Sequence, residues 1–442
     1  MSAALQAGDE IVTADGQDQA ISALIRRRDA AFGRGAKLFY DKPLHLVRGE
    51  GVYLFDASGR RYVDMYNNVP CVGHAHPRIV EAMARQQSTI NTHSRYLHES
   101  AIELAERLTS LQRVTDCAIF SCSGTEAIEV AMRVAQIGTG ARGIICTNHT
   151  YHGNNTIVGA LTNLSEDDKS HPHLRSIPFP ERLRPIVPGL SGAELADAYI
   201  ARLGAAIEEL KDNGSGFAAL ILCPILANEG LPDIPEGFMA KAAKLVKAAG
   251  GLIIADEVQA GYGRTGQWWG YDAVGLVPDI VVTGKPMGAG LPLAATTGSR
   301  HLIEEFRAHT RYFNTFAASP LQGAVGLAVI ETLESEGMID NARDVGSDLK
   351  AGLAERMGHL EGLGDVRGTG LFIGAEFVDS QGAPDGSLAF DVVCRLRDRG
   401  FLTSIDGAFN NMVKVRPPLP LTSGNAREFL DAFDVVMEEL RG

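Results

Sequence analysis

Apolar residues recur in two rhythms along this chain. Between residues 76 and 283 short runs of consecutive apolar residues alternate with longer stretches in which apolar positions return every three or four residues. The first pattern fits strands covered on both faces, the second amphipathic helices. The short runs predict strands at 117–121, 143–147, 217–223, 252–255 and 279–282, and the periodic stretches predict helices at 77–87, 100–111, 125–137, 193–212 and 236–249. Such alternation argues for an α/β fold whose sheet is mostly parallel and flanked by helices.

The pattern differs at both ends. Residues 1–35 are polar and helix-prone. Residues 45–68 carry short β-rich runs around Asp56-Ala57-Ser58-Gly59, a turn composition that predicts a hairpin. After residue 318 a long helix is expected at 320–336, continuing with one break to 357. Strands are expected at 366–377, 401–404 and 412–416, with helices at 389–399 and 425–441, an α+β arrangement. The expected organisation is an N-terminal segment (1–75) that contributes to a small domain, a large domain (76–317) and a C-terminal small domain (318–442).

Composition narrows the function. Hydrophobic residues make up 45% and charged residues 21% of the 442, which excludes a disordered chain. The net charge of −13, with no basic run longer than Arg26-Arg27-Arg28, argues against nucleic acid and against an anionic membrane surface as partners. The longest apolar run, 217–227, is too short to span a bilayer, and the N-terminus lacks the basic and apolar regions of a secretory signal. Six cysteines at 71, 117, 122, 146, 223 and 394 form no CxxC pair. They read as reduced core thiols of a cytoplasmic protein, with no metal site.

Three constellations carry chemistry. The run 252–255 ends in Asp256, and that of 279–283 ends in Gly284-Lys285-Pro286, 29 residues after the aspartate. In a parallel sheet both would arrive at the crevice beyond the strand ends. A plain salt bridge at the sheet edge is the alternative, although a carboxylate after four apolar residues demands a cationic partner. Next, Ser123-Gly124-Thr125-Glu126 lies where a strand runs into a helix. Free N–H groups and hydroxyls there suit a phosphate dianion, while Ser123 and Glu126 also suit simple capping. Finally, Asn148-His149-Thr150-Tyr151-His152-Gly153 follows a strand and offers an aromatic ring for stacking or for ordinary packing. Together they ask for a flat, phosphorylated ligand with a basic ring nitrogen and an aldehyde for lysine: pyridoxal 5′-phosphate (PLP).

At these motifs the chain closely resembles the class III aminotransferases, PLP enzymes of fold type I, from about Phe39 to the C-terminus. The resemblance is carried by the three constellations and by Asn67-Asn68-Val69-Pro70, Gly73-His74-Ala75-His76-Pro77, Asp256-Glu257-Val258-Gln259, Gly263-Arg264-Thr265-Gly266, Gly284-Lys285-Pro286-Met287-Gly288 and Phe313-Asn314-Thr315-Phe316. It implies that Lys285 carries the cofactor as a Schiff base and then moves the proton, and that Asp256 binds the pyridine nitrogen. Val258 and Tyr151 would cover the two ring faces, and Gln259 would touch the 3′-oxygen. Ser123, Gly124 and Thr125 would hold the phosphate, completed by Thr315 of a partner subunit. A homodimer, or a tetramer, is therefore implied. His152 and Glu126 lie beside this site without an assigned role.

The chain also departs from the family pattern. Cys223-Pro224 stands where many members have Glu-Pro, and Asn228, followed by Glu229, stands where ornithine-type members have a glutamate. Lys414 occupies the place of a common arginine, with Arg416 two residues on. On a strand these two share a face and could bind a substrate anion; gatekeeper charges on an edge strand are the alternative. Asn67-Asn68-Val69-Pro70, Asn91-Thr92-His93-Ser94-Arg95-Tyr96 and Gly284-Lys285-Pro286-Met287-Gly288 resemble the branch of alanine–glyoxylate type 2 enzymes, phospho-lyases and aminophosphonate ammonia-lyases. The function implied is transfer of an amino group from an amine with an anionic group to a 2-oxo acid. A PLP-dependent lyase, expelling ammonia or phosphate, is the alternative on the same scaffold.

Overall fold

The computed structural model describes residues 14–441 except 163 and 358. The expectations for residues 1–13, that about a secretory signal among them, lie outside the described residues. From Ala14 to Phe32 the chain is helical.

Among the described residues the strands form three sheets. The largest has seven strands in the order Cys117–Ser121, Ala294–Gly298, Ile280–Thr283, Leu252–Asp256, Phe217–Leu222, Gly143–Thr147, Leu174–Ile177. The pairings on the Leu252–Asp256 side are parallel. Ala294–Gly298 alone runs against both neighbours. The fold is α/β, with the strand-and-helix alternation read from the sequence.

Ala294–Gly298 was not legible as a strand, because Ala-Ala-Thr-Thr-Gly lacks bulky β-formers. It is nonetheless buried throughout. Thr296 donates to the Ala127 carbonyl at 2.6 Å and Thr297 to Gln112 Oε1 at 2.5 Å, so both hydroxyls find partners inside the core.

Two C-terminal expectations needed correction. The segment 366–377 is a hairpin, not one strand: Leu363–Thr369 turns at Gly370 and returns as Phe372–Phe377. Gly370 has φ 55°, and a Cβ there would lie 2.4 Å from the Thr265 carbonyl carbon. The segment 401–404 is likewise shared between two sheets. Phe401–Leu402 pairs in parallel with Arg61–Asp64 of the N-terminal sheet, and Ser404–Asp406 joins Met412–Val415 of the C-terminal sheet. The break in the long helix falls at Gly337, with φ 62°, between Pro320–Ser335 and Met338–Glu355. The expected hairpin near residue 57 is present as Tyr53–Asp56 and Arg61–Asp64.

Candidate active site

Asp256 is the last residue of its strand, and Lys285 follows Ile280–Thr283 in the adjacent one. Parallel register therefore delivers a carboxylate and an amine to the same end of the sheet. Asp256 is 5% exposed. Its Oδ2 lies 2.6 Å from His152 Nδ1, and its Oδ1 accepts from the Val258 N–H at 3.0 Å. His152 is buried too, with Nε2 3.0 Å from the Thr150 hydroxyl. Asp256 thus finds the polar partner its burial requires in a histidine 104 residues away.

The helix Gly124–Thr139 begins beside these groups. Ser123 accepts from the Glu126 N–H at 3.2 Å, and Glu126 accepts from the Cys122 N–H at 2.7 Å. The capping interpretation therefore holds, and it leaves Gly124 and Thr125 free to face the cavity. Thr125 Oγ1 lies 3.3 Å from the Asn154 N–H.

Gly124, Thr125, Tyr151, His152, Gly153, Asp256, Val258, Gln259 and Lys285 line one cavity of about 230 Å³. Val258 forms part of its wall between two glycines: a Cβ on Gly124 or Gly284 would come within 3.0 or 3.2 Å of its Cγ1. Burial lowers the Lys285 pKa, and the nearby Arg416 charge lowers it further, against the opposing pull of Asp256. An amine with a depressed pKa, a buried carboxylate, a helix N-terminus and a flat slot beside a valine fit the aldehyde, ring nitrogen, phosphate and ring of PLP.

Lys414 and Arg416 are both buried at the Met412–Val415 strand, and both cations lie over the Phe372 ring, at 5.6 and 5.3 Å from its centroid. They share a face, as the strand period implies. Their surroundings differ. Lys414 forms an ion pair with Asp406. Arg416 donates from Nε to the Tyr66 carbonyl at 3.2 Å and from Nη1 to Gln259 Oε1. Among the described residues no carboxylate pairs with it. Burial lowers the pKa of both, that of Lys414 well below the usual range, with Arg416 and Lys285 adding to the effect.

The structure thus gathers the candidates around Lys285, with Arg416 behind Gln259. Thr315 stands apart: it is exposed and lines a second cavity, of about 620 Å³, with Asn91, Cys122, Ser319 and Gln322. Several motif residues prove to be framework. Asp64 binds His74 at 2.7 Å and the Asn67 amide at 3.0 Å; the buried Arg264 donates to Asn68 Oδ1 and to the Leu371 and Pro417 carbonyls. The carboxylate of Glu257 accepts the Gly270 and Tyr271 N–H groups, both at 2.8 Å. The amide contacts of Gln259 had no local signal, since its partner Arg416 is 157 residues away.

Fold and donor set define a PLP enzyme of fold type I. The chain belongs to the class III aminotransferase family, which it matches over residues 39–437. It is 35% identical over 426 residues to the alanine–glyoxylate aminotransferase 2-like protein of Drosophila melanogaster, covering 92% of this chain and 85% of that one. Identity to ethanolamine-phosphate phospho-lyase homolog 1 of Caenorhabditis elegans is 30% over 438 residues, covering 94% and 93%. Among solved structures it is similar to a phospholyase from Arthrobacter in complex with phosphoethanolamine, with TM-score 0.89 and 36% identity over 94% of this chain and 99% of that one. Among the described residues no helix is long and apolar enough to cross a membrane.

Proposed function

We propose that the protein is a PLP-dependent aminotransferase that moves an amino group from a donor bearing an anionic group to a 2-oxo acid. The observation that carries this reading is the single cavity joining Lys285, Asp256 with its His152 partner, and the N-terminus of the Gly124–Thr139 helix. PLP, when bound, supplies an aldehyde that captures amines and a ring that accepts the electrons released when the donor's C–H bond breaks.

The chain's own residues then have distinct tasks. Lys285 Nζ would hold the aldehyde and, as a free amine, would take the proton from the donor's amine-bearing carbon. Its lowered pKa favours the neutral form that both tasks require. Asp256, held by His152 and the Val258 N–H, faces the ring nitrogen and keeps its proton in place. Val258 and Tyr151, which line the cavity, would pack on the two ring faces. Gln259 gives one N–H to Asn228 and has a second for the 3′-oxygen. Ser123, Gly124 and Thr125 receive the phosphate. Arg416 would receive the donor's anion in preference to Lys414, which already pairs with Asp406.

A homodimer completes this site, with Thr315 of a second copy reaching the phosphate. The exposed Phe313, Phe316, Tyr96 and Leu97 support such an interface. A reducing compartment, the cytoplasm, suits the buried thiols of Cys71, Cys146, Cys223 and Cys394.

Likeness to two phospho-lyases favours one second reading, elimination of phosphate or ammonia from a similar donor. The test is to incubate the holoenzyme with alanine or with ethanolamine phosphate, with and without glyoxylate. Amino transfer that requires glyoxylate supports the proposal. Release of ammonia or inorganic phosphate at full rate without an acceptor replaces it with the lyase.

A further inference from the structure

We propose that Gln259 sets the selectivity of this site by holding Arg416 with a neutral oxygen, so that the guanidinium is positioned while its charge stays available to the substrate. The inference rests on the reading that Arg416 receives the donor's anion.

A directional chain of hydrogen bonds runs from the mouth of the cofactor cavity to Arg416. At one end stands the Tyr151 carbonyl, which can only accept. Asn228 must present Nδ2 to it, at 3.3 Å. That turns Asn228 Oδ1 towards Gln259, which donates from Nε2 at 3.1 Å. Gln259 Oε1 is then left for Arg416 Nη1, a group that can only donate. Both ends demand the same orientation of both amides. The Gln259 backbone is anchored as well: its carbonyl accepts from Asn68 Nδ2 at 3.0 Å, and Asn68 Oδ1 accepts from Arg264 Nε at 3.1 Å. Gln259 therefore offers Arg416 a rigid acceptor.

The neutrality of that acceptor matters because of what surrounds it. Arg416 is 5% exposed, its guanidinium also donates to the Tyr66 backbone carbonyl and lies over the Tyr66 and Phe372 rings, and the carboxylate of Asp64 acts on it only from beyond ion-pair distance. The cation beside it, Lys414, is already paired with Asp406. A carboxylate at position 259 would pair with Arg416 in the same way and compete with any anion the substrate brings. The amide keeps the geometry and omits the competitor. Gln259 is in this respect a positioning residue that acts through Arg416.

The experiment is calorimetric titration of the PLP-loaded protein with acetate and, separately, with inorganic phosphate. Wild type, Arg416→Ala, Gln259→Glu and the near-isosteric Gln259→Met are compared. Wild type should bind at least one anion; the stronger of the two tells whether a carboxylate or a phosphoryl group is preferred. Arg416→Ala and Gln259→Glu should each weaken that anion by about tenfold or more. Gln259→Met, which keeps the volume and the neutrality but removes the acceptor that holds the guanidinium, should weaken it less, by about two- to tenfold. Should Gln259→Glu not fold or not load PLP, Gln259→Met carries the test: it keeps the packing and removes the acceptor, so anion binding equal to wild type there overturns the holding role. Normal anion binding by Gln259→Glu, with loss in Arg416→Ala, overturns the claim that neutrality at position 259 sets the selectivity and leaves the Arg416 reading standing. No binding by wild type, or no effect of Arg416→Ala, removes that reading and this inference with it.

Discussion

Gly124→Ala probes the slot between Val258 and the helix N-terminus. The added Cβ would lie 3.0 Å from Val258 Cγ1 and 3.2 Å from Cγ2. Val258 also sits close beside Gly284, where an added Cβ would meet the same two methyls at 3.2 and 3.3 Å, so the valine already fills the space left by both glycines. A β-branched side chain has little rotamer freedom with which to escape. The open side is the cavity of about 230 Å³ that Val258 lines, so the displacement of a few tenths of an ångström is directed into it. Without cofactor that movement meets no obstacle, and stability should change by less than about 1 kcal/mol, the scale of the Gly-to-Ala propensity gain. With PLP in place the valine methyls and the ring compete for the same space. Overpacking of this kind costs about 1–3 kcal/mol, which weakens PLP binding by about 5- to 150-fold. The assay is titration of the apoprotein with PLP, followed by visible absorbance, alongside urea denaturation of the apoprotein. Gly124→Ala combined with Val258→Ala should recover most of the affinity, since the struck methyls are gone. The reasoning is refuted if Gly124→Ala binds PLP like wild type, or if its loss persists undiminished in the double variant.

Three further outcomes follow from the same geometry. Lys285→Ala should lose the visible absorbance of lysine-linked PLP and the acceptor-dependent turnover; near wild-type turnover would show that another group moves the proton. Mixed and refolded Lys285→Ala and Thr315→Ala subunits should regain up to about a quarter of wild-type activity, since heterodimers would hold one intact site each; absence of any complementation contradicts a shared site. Glu257 is fully buried, and burial raises its pKa from 4.5 to about 8. The folded state then binds a proton that the unfolded state has released, so its contribution is complete below about 4.5 and is lost as pH rises through about 8. Denaturation of wild type and Glu257→Gln across this window should give a falling stability in the first and a flatter profile in the second; parallel slopes would place the titration elsewhere.

Local rules carried much of the fold and the chemistry. An apolar run ending in Asp256, another ending before Lys285, and Ser123-Gly124-Thr125 at a strand-to-helix turn are written within a few residues each, so strand ends and caps could be located from sequence. The hidden elements were those whose sequence conceals their burial. Ala294–Gly298 is a buried strand made of small and hydroxylated residues, satisfied only by Ala127 and Gln112 from elsewhere. The turn at Gly370 is defined by its close approach to Thr265, about a hundred residues upstream.

Charge compensation was beyond the reach of sequence for the same reason. Periodicity placed Lys414 and Arg416 on one face, but it could not say that Asp406 pairs with the first while the second hydrogen-bonds only to neutral oxygens. Nor could it say that His152, and not a lysine or arginine, partners Asp256. A residue's chemistry is local, whereas the field it feels depends on every element packed against it. The sequence by itself determined which reactive groups the protein owns and which strand ends carry them. Tertiary structure decided which of those groups are paired and which remain free to meet a substrate.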